Sequence, residues 1–436
     1  MILNISIQNY RSFKKNVVFS MIAESSKSKE QNVFIQKLPK GDDEIRLLNT
    51  SLIYGANASG KSNLLRSIFD IRKLITQDQP TAGADIVEYD PFKFDKANDQ
   101  LPIEFYIEFI GTDNIKYRYE LSYSRSEILL EELMYWPNNK PVQLLSRKVS
   151  KDKNSLVHYG FMGPSLGGDN FEIFKNQTLL SKFGKERPND IISKVYIYFE
   201  KLNVINACSQ PMIEKARADV NVKFLSDNNF AKRINELLKF SDTGLDGVSV
   251  KKLEESEFKF PDTFPEDEKS RIFKRNMYTM FGLHSYFSEE EKIDIIQLPF
   301  KDESNGTRAI YALGGKMLDV IEDGGVLFVD ELETSFHPFL AKMLVCLFQN
   351  KKINSKNAQL VFATHDTNLL DRTLFRKDQV WFTEKDYFGA TELYSLQDFS
   401  EVREDTPFDR WYLAGKFGGV PNLQSLESLF SENEKE

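Results

Sequence analysis

The run Gly55-Ala56-Asn57-Ala58-Ser59-Gly60-Lys61-Ser62 constrains this chain more than any other stretch. It satisfies the phosphate-loop pattern G-x-x-x-x-G-K-[ST], Walker A, at every fixed position. A short β-prone segment, Thr50 to Tyr54, precedes it, and Asn63 to Phe69 follows with the spacing of an amphipathic helix. A strand feeding a glycine loop that opens a helix predicts a phosphate cradle. The glycines let backbone N–H groups turn inward, and the helix N-terminus adds the positive end of its dipole. In this reading residues 55–62 surround the phosphates, Lys61 supplies a point charge and Ser62 offers its hydroxyl to a magnesium ion. ATP and Mg²⁺ are the expected cofactors. A glycine-serine loop that merely starts a helix is the bland alternative, and both flanks argue against it.

A second cluster of signals lies far downstream. Val326-Leu327-Phe328-Val329 is a wholly apolar run that ends in Asp330-Glu331. Two carboxylates emerging at the C-terminal edge of a buried strand form a Walker B pattern, since ligands of open α/β sheets bind at that edge. Asp330 is expected at the metal, and Glu331 as the general base that orients the attacking water. Alone, such a run is as easily a capped strand; beside a complete Walker A it acquires a task. Ser304-Asn305-Gly306-Thr307 opens a predicted helix over 305–322, where Ser304 is an N-cap or part of an anion cradle. Ala363-Thr364-His365 ends a predicted strand, and His365 is either structural or a group at the γ-phosphate.

The remaining patterning orders the chain. Residues 1–20 predict two strands around Asn9-Tyr10-Arg11-Ser12-Phe13, and 21–48 a polar loop. Alternation over 103–109 and 116–121, with Asp113-Asn114 between, predicts an antiparallel hairpin. Helices are expected at 191–199, 230–238 and 338–350, and strands at 359–363, 379–383 and 391–395. A charged, solvated segment is expected over 251–271. The division drawn is 1–139 as the N-terminal half of an ATPase head, 140–290 as a mainly helical insertion for sensing or docking, and 291–436 as the C-terminal half with its tail.

Composition narrows the class. The 436 residues are 41% hydrophobic and 28% charged, and 35 Phe and 17 Tyr supply core material. No apolar run approaches the roughly 18 residues of a membrane span, and the N-terminus lacks the basic start and apolar block of a signal peptide. A net charge of −8 offers no chain-wide basic footprint for nucleic acid. The two cysteines, Cys208 and Cys346, have apolar neighbours in sequence and are expected as buried thiols. These features predict a cytoplasmic protein without a membrane partner.

In order along the chain, Walker A, Ser-x-Gly-Thr at a helix start, Walker B with a following Glu, and strand-Thr-His resemble the ABC-type ATPases of the SMC, RecF and OLD-like repair class. That resemblance implies an α/β fold: an ABC-type P-loop ATPase head with a mainly parallel sheet, an antiparallel β-subdomain and a helical insertion. It makes Ser304 and Gly306 the signature that contacts the γ-phosphate held by the other subunit, and His365 the switch histidine. Asn9-Tyr10-Arg11-Ser12-Phe13 looks like the N-F-R-S-F element of the class, which would place Arg11 near the phosphates. Glu333-Thr334-Ser335-Phe336-His337-Pro338 resembles its D-loop. Gln79, Gln100 and Gln143 are candidates for the class's Q-loop glutamine, or Tyr89 to Phe94 fills that connection. A narrower resemblance is to the stand-alone AAA/ABC-like ATPases of bacterial anti-phage, abortive-infection and restriction-linked systems. It rests on the Asp-Glu-Leu-Glu-Thr-Ser-Phe-His-Pro string, the missing coiled coil and the segment Arg410 to Pro421.

These resemblances imply an ATP-dependent homodimer or higher assembly that gates a separate effector, with a phage protein or nucleic acid as trigger. About 70 residues follow His365 without a D-x-D, so nuclease or toxin activity is expected in another chain. A RecF- or SMC-like DNA-maintenance ATPase with ATP-gated DNA binding is the alternative. A transporter's nucleotide-binding subunit fits the N-terminal element and the central insert poorly. A monomeric P-loop kinase or GTPase leaves Ser304 and Gly306 without a task, and the N-K-x-D pattern is missing.

Overall fold

A computed structural model of the chain describes residues 1–38, 44–76, 83–138, 140–148, 158–162, 170–186, 190–258, 265–288, 291–334 and 336–421. They form two compact units, Met1–Lys201 with Ala363–Glu436, and Leu202–Phe362.

The first unit begins with the expected pair of strands. β1 (Ile2–Gln8) and β2 (Val17–Ser20) are antiparallel, with Ile5 opposite Phe19. The polar stretch that follows is not only loop: β3 (Val33–Lys37) pairs with β4 (Glu44–Leu48). Val33, Phe34, Leu47 and Leu48 are buried there, so a few apolar positions fix the hairpin despite the surrounding Lys, Ser and Glu. β5 (Thr50–Tyr54) is buried along its whole length and leads into α1 (Lys61–Thr76). The spacing of Leu64, Leu65, Ile68, Ile71, Leu74 and Ile75 gives α1 one buried apolar face.

β6 (Ile103–Ile110), β7 (Lys116–Tyr123), β8 (Ile128–Trp136), β9 (Val142–Lys148), β10 (His158–Met162) and β11 (Asn170–Ile173) come next. With β1 and β2 they make an eight-stranded antiparallel sheet in the order β11-β10-β9-β8-β7-β6-β1-β2. The predicted turn joins β6 to β7, and Asn114 takes φ 61° within it. α2 (Leu179–Glu186) and α3 (Ile191–Glu200) follow. Tyr198 of α3 stacks on Phe109 of β6 with ring centroids 4.0 Å apart. Glu131 of β8 is fully buried, accepts the Leu179 and Leu180 amides at the start of α2 at 2.6 and 2.9 Å, and accepts the Tyr119 hydroxyl at 3.0 Å. These donors answer the desolvation of an internal carboxyl, whose pKa burial still raises.

The second unit has a parallel sheet in the order β12-β16-β17, from β12 (Asn203–Asn206), β16 (Val326–Asp330) and β17 (Gln359–Ala363). β16 and β17 are buried along their whole length, and their nearly continuous apolar character is that of strands covered on both faces. α4 (Gln210–Ser226) and α5 (Asn228–Phe240) follow β12. β13 (Gly247–Lys252), β14 (Tyr278–Ser288) and β15 (Glu291–Pro299) form a separate antiparallel sheet, with α6 (Glu266–Asn276) between β13 and β14. The span 140–290, expected to be mainly helical, therefore carries strands β9 to β14 alongside α2 to α6. Residues 259–264 of the charged segment lie outside the described residues.

The predicted helix over 305–322 is α7 (Asn305–Ala309), a π-helical turn Ile310–Gly314 and α8 (Gly315–Asp323). A Cβ on Gly314 would come within 2.8 Å of Leu237, and one on Gly315 within 2.9 Å of Val220. Glycine at both positions lets this helix lie directly on α4 and α5. α9 (Pro338–Gln349) precedes β17.

The chain re-enters the first unit at Ala363. β18 (Val380–Lys385) runs parallel to β5, with Val380 opposite Leu52, and β19 (Thr391–Ser395) is antiparallel to β18. α10 (Phe408–Leu413) covers this end. Tyr412 and Phe417 are buried, and both rings pack on Phe382. The tail aromatics of the Arg410–Pro421 segment thus serve packing in the first unit. The whole is an α/β protein with parallel strands and separate antiparallel sheets.

Candidate nucleotide site

β5 delivers the chain to Gly55, and α1 starts at Lys61. Between them the loop turns through backbone that side chains resist: Gly60 has φ 119° and Ala58 φ 61°. A Cβ on Gly60 would sit 2.5 Å from Thr391 Oγ1, 2.7 Å from Thr391 Cγ2 and 3.0 Å from Ser12 Oγ. Only glycine permits this approach. The loop is fastened by hydroxyls: Ser59 Oγ and Thr383 Oγ1 share a hydrogen bond of 2.6 Å, and Thr391 Oγ1 donates to the Ser59 carbonyl at 2.7 Å. The Thr391 amide donates to the Ser12 carbonyl at 2.7 Å. The Lys61 ammonium lies against the loop's own backbone, donating to the Gly55 carbonyl at 2.7 Å and the Ala56 carbonyl at 3.1 Å. At the start of α1 the Asn63 and Leu64 amides donate to the Gly60 carbonyl at 3.0 and 3.2 Å.

Arg11 is brought to this loop. Its Nη1 donates to Asn63 Oδ1 at 3.2 Å, and its Nε pairs with Asp90 at 2.8 Å. The Arg11 amide also donates to the Asp90 carbonyl at 2.8 Å. Burial would raise the Asp90 pKa, but hydrogen bonds from Lys93 and Arg11 outweigh it and hold the carboxyl below its usual range. The Tyr89–Phe94 segment, one candidate for the Q-loop connection, thus sits on Arg11. Gln100 bonds Asp99 at an exposed position, Gln143 lies on β9, and Gln79 falls outside the described residues. Asn9 fixes the turn before Arg11, its amide donating to the carbonyls of Asn98, Leu101 and Pro102.

His365 stands exposed just past the end of β17. The preceding Thr364 amide donates to the Ile53 carbonyl at 3.2 Å, and the Tyr54 hydroxyl donates to the Asp366 carbonyl at 2.7 Å. Ile53 and Tyr54 are the last residues before Gly55, so His365 is tethered at the strand end that feeds the loop. Arg11, the 55–62 loop and His365 are therefore brought together within the first unit.

In the second unit the register places Asn206 of β12 opposite Asp330 of β16. Asp330 is 4% exposed. Asn206 Nδ2 donates to Asp330 Oδ2 at 3.0 Å, and the Ala207 amide donates to the Asp330 carbonyl at 2.9 Å. Glu331 follows with φ 57°, a left-handed conformation that costs a non-glycine residue about 1–2 kcal/mol. Cys208 Sγ donates to Glu331 Oε2 at 2.5 Å and lies 3.3 Å from Thr334 Oγ1. The hydrogen bond to the Glu331 carboxylate pushes the thiol's pKa up, keeping it a donor.

This corrects the reading of Cys208 as a buried apolar thiol: it is exposed. Its apolar neighbours Val204 and Ile205 belong to β12, and Cys208 comes after the strand has ended. Cys346 is half-buried.

Ser304 is the N-cap of α7, its Oγ accepting the Thr307 amide at 3.0 Å. Gly306 lies in the first turn of the same helix. The preceding Glu303 bonds His284 Nε2 of β14 at 2.8 Å. After Glu331 the chain makes two tight turns, Thr334 amide to Glu331 carbonyl and Phe336 amide to Glu333 carbonyl, each at 3.0 Å. His337 then caps α9, with Pro338 in its first turn. Ser335 lies outside the described residues.

Residues 51–371 match the family described as "AAA domain, putative AbiEii toxin, Type IV TA system". That span is well over half of the sequence, and the chain belongs to this family of AAA-type, ATP-binding ATPases. No curated protein matches the chain. Two solved structures of the recombination mediator protein RecF of the RecFOR pathway are similar to it. The one described as RecF-ATPrS is 14% identical, covering 90% of this chain and 98% of that one with a TM-score of 0.38. The one with ATP is 15% identical, covering 90% and 97%, with a TM-score of 0.36. No described helix is long and apolar enough to cross a membrane.

Proposed function

We propose that this chain is an ATP-binding and ATP-hydrolysing switch of ABC type that dimerises on ATP and controls a separate effector in a bacterial anti-phage system. The observation that carries the nucleotide reading is the strand–loop–helix unit in which Gly60 admits the close contact with Thr391 and Lys61 lies inside the loop. A glycine loop opening a helix, with an ammonium against its backbone, supports a triphosphate as the ligand. In this reading residues Gly55, Ala56, Asn57, Ala58, Ser59, Gly60, Lys61 and Ser62 hold the phosphates, with Arg11 beside them. Ser62 and Asp330 would hold Mg²⁺, which when bound offsets phosphate charge. Glu331 takes the proton of the attacking water, and His365 contacts the γ-phosphate. Ser304 and Gly306 serve the nucleotide of a second copy, so that ATP joins two heads and hydrolysis parts them. The anti-phage assignment draws on the family's description as a type IV toxin–antitoxin system.

The test uses purified full-length chain. Lys61→Ala should lose ATP binding, because no other group replaces a compact ammonium there. Glu331→Gln should keep ATP and slow turnover roughly 10²–10⁴-fold, the range for a lost general base. Light scattering should find Glu331→Gln dimeric with ATP, and monomeric once Ser304→Arg is added. Parental affinity and turnover in Lys61→Ala would overturn the nucleotide reading. Expression with neighbouring genes under phage challenge checks the switch role: protection should need both Lys61 and the partner gene.

A further inference from the structure

The end of β12 is not part of any motif, yet it touches both Walker B carboxylates. Parallel register puts Asn206 level with Asp330. Asn206 Nδ2 reaches Asp330 Oδ2 at 3.0 Å, and two residues on, Cys208 Sγ reaches Glu331 Oε2 at 2.5 Å. The intervening turn is itself braced: the Ala207 amide donates to the Asp330 carbonyl, and the Cys208 amide donates to Asn206 Oδ1 at 2.9 Å. Asn206 therefore receives one hydrogen bond on its oxygen and gives one from its nitrogen, which fixes its amide orientation. Cys208 is placed by that same oxygen. All of these groups lie in the second unit.

We propose that the end of β12 is a positioning element for the two carboxylates, with Asn206 orienting Asp330 and Cys208 orienting Glu331. The inference rests on the role of Glu331 given above. A glutamate side chain has several rotatable bonds, and a base acts only from the rotamer that faces water. A donor on Oε2 fixes that rotamer and leaves Oε1 for the water. The strained backbone at Glu331 turns its side chain toward Cys208, and the second contact of the sulfur, at Thr334, keeps the thiol from rotating away. Neither Asn206 nor Cys208 is a catalytic residue in this scheme; each acts through the carboxylate it holds.

The experiment measures ATP turnover and ATP affinity of the full chain in a Cys346→Ser background. Cys208→Ala should lower kcat about fivefold, the worth of one modest hydrogen bond, with KM and ATP affinity unchanged. Cys208→Ser keeps a donor of similar reach and should return kcat to within about twofold of the parent. In a Glu331→Gln background, Cys208→Ala should have no further effect, because groups acting through one another are not additive. Asn206→Ala should raise the Mg²⁺ concentration needed for half-maximal turnover. Parental kcat in Cys208→Ala, failure of Cys208→Ser to rescue, or full additivity with Glu331→Gln overturns the assignment of Cys208. An unchanged Mg²⁺ requirement in Asn206→Ala overturns that of Asn206. If Glu331→Gln itself turns over at the parental rate, the base assignment has failed, and the positioning of a base by Cys208 fails with it. A slow Glu331→Gln beside an unaffected Cys208→Ala sinks the positioning element alone.

Discussion

In the first unit the 55–62 loop is fastened by hydroxyls that arrive from 324 and 332 residues downstream, Thr383 and Thr391, and those bonds end on the loop's backbone or on Ser59. In the second unit Asp330 and Glu331 are held by side chains from one neighbouring strand end, and the bonds land on the two carboxylates themselves. The difference separates two kinds of positioning. In the proposed reading a phosphate cradle made of backbone N–H groups needs a fixed chain path, and these hydroxyls brace it. In the proposed roles of Asp330 and Glu331 a metal ligand and a base must be aimed, and the donors sit on those two carboxylates. Damage to the first should read as lost nucleotide affinity, and damage to the second as lost turnover at intact affinity.

The largest expected effect tests the loop. Gly60→Ala places a Cβ within 2.5 Å of Thr391 Oγ1 at φ 119°, and relief requires the loop to leave its path. Strained backbone of this kind costs on the order of 1–3 kcal/mol, so ATP affinity should fall tenfold or more. Calorimetric titration checks it. Parental affinity in Gly60→Ala would mean the loop tolerates displacement, and the contrast with the carboxylate half would collapse.

On both sides of this contrast the motif residues were legible in the sequence and the groups that hold them were not. The loop, β5, α1, β16 and the Asp330-Glu331 pair were all readable, because strand periodicity and a spaced motif are local properties. The braces were not. Thr383 and Thr391 are ordinary strand residues whose role depends on β18 lying beside β5, a pairing that only the fold creates. The same holds for Asn206 and Cys208, which face Walker B through the β12–β16 register. A cysteine among Val, Ile and Ala reads as core; nothing local says that β12 stops at Asn206. The β3–β4 hairpin was missed for a compositional reason, since its buried Val33, Phe34, Leu47 and Leu48 are diluted by charged neighbours.

A middle-sized effect sharpens the division of labour. Thr391→Val keeps the shape of the side chain and removes the hydrogen bond to the Ser59 carbonyl, leaving a buried acceptor short of a partner. About 1 kcal/mol is expected, appearing as a severalfold weaker ATP affinity with kcat at saturation unchanged. A fall in kcat at parental affinity would place Thr391 with the aiming residues instead of the braces.

The smallest effect concerns stability at the base itself. Glu331 holds φ 57° without being glycine, so the fold is less stable there than it could be. Glu331→Gly and Glu331→Ala both remove the carboxylate and its bond to Cys208, so comparing them isolates the backbone. Glycine adopts this conformation freely, although its extra freedom in the unfolded chain offsets part of the gain. Glu331→Gly should therefore be more stable than Glu331→Ala by about 0.5–1 kcal/mol, read as a higher urea midpoint, while both lack turnover. Equal midpoints would show that the left-handed turn is relaxed in the folded chain. The strain would then have no part in aiming Glu331, and the carboxylate half would depend on its side-chain donors alone.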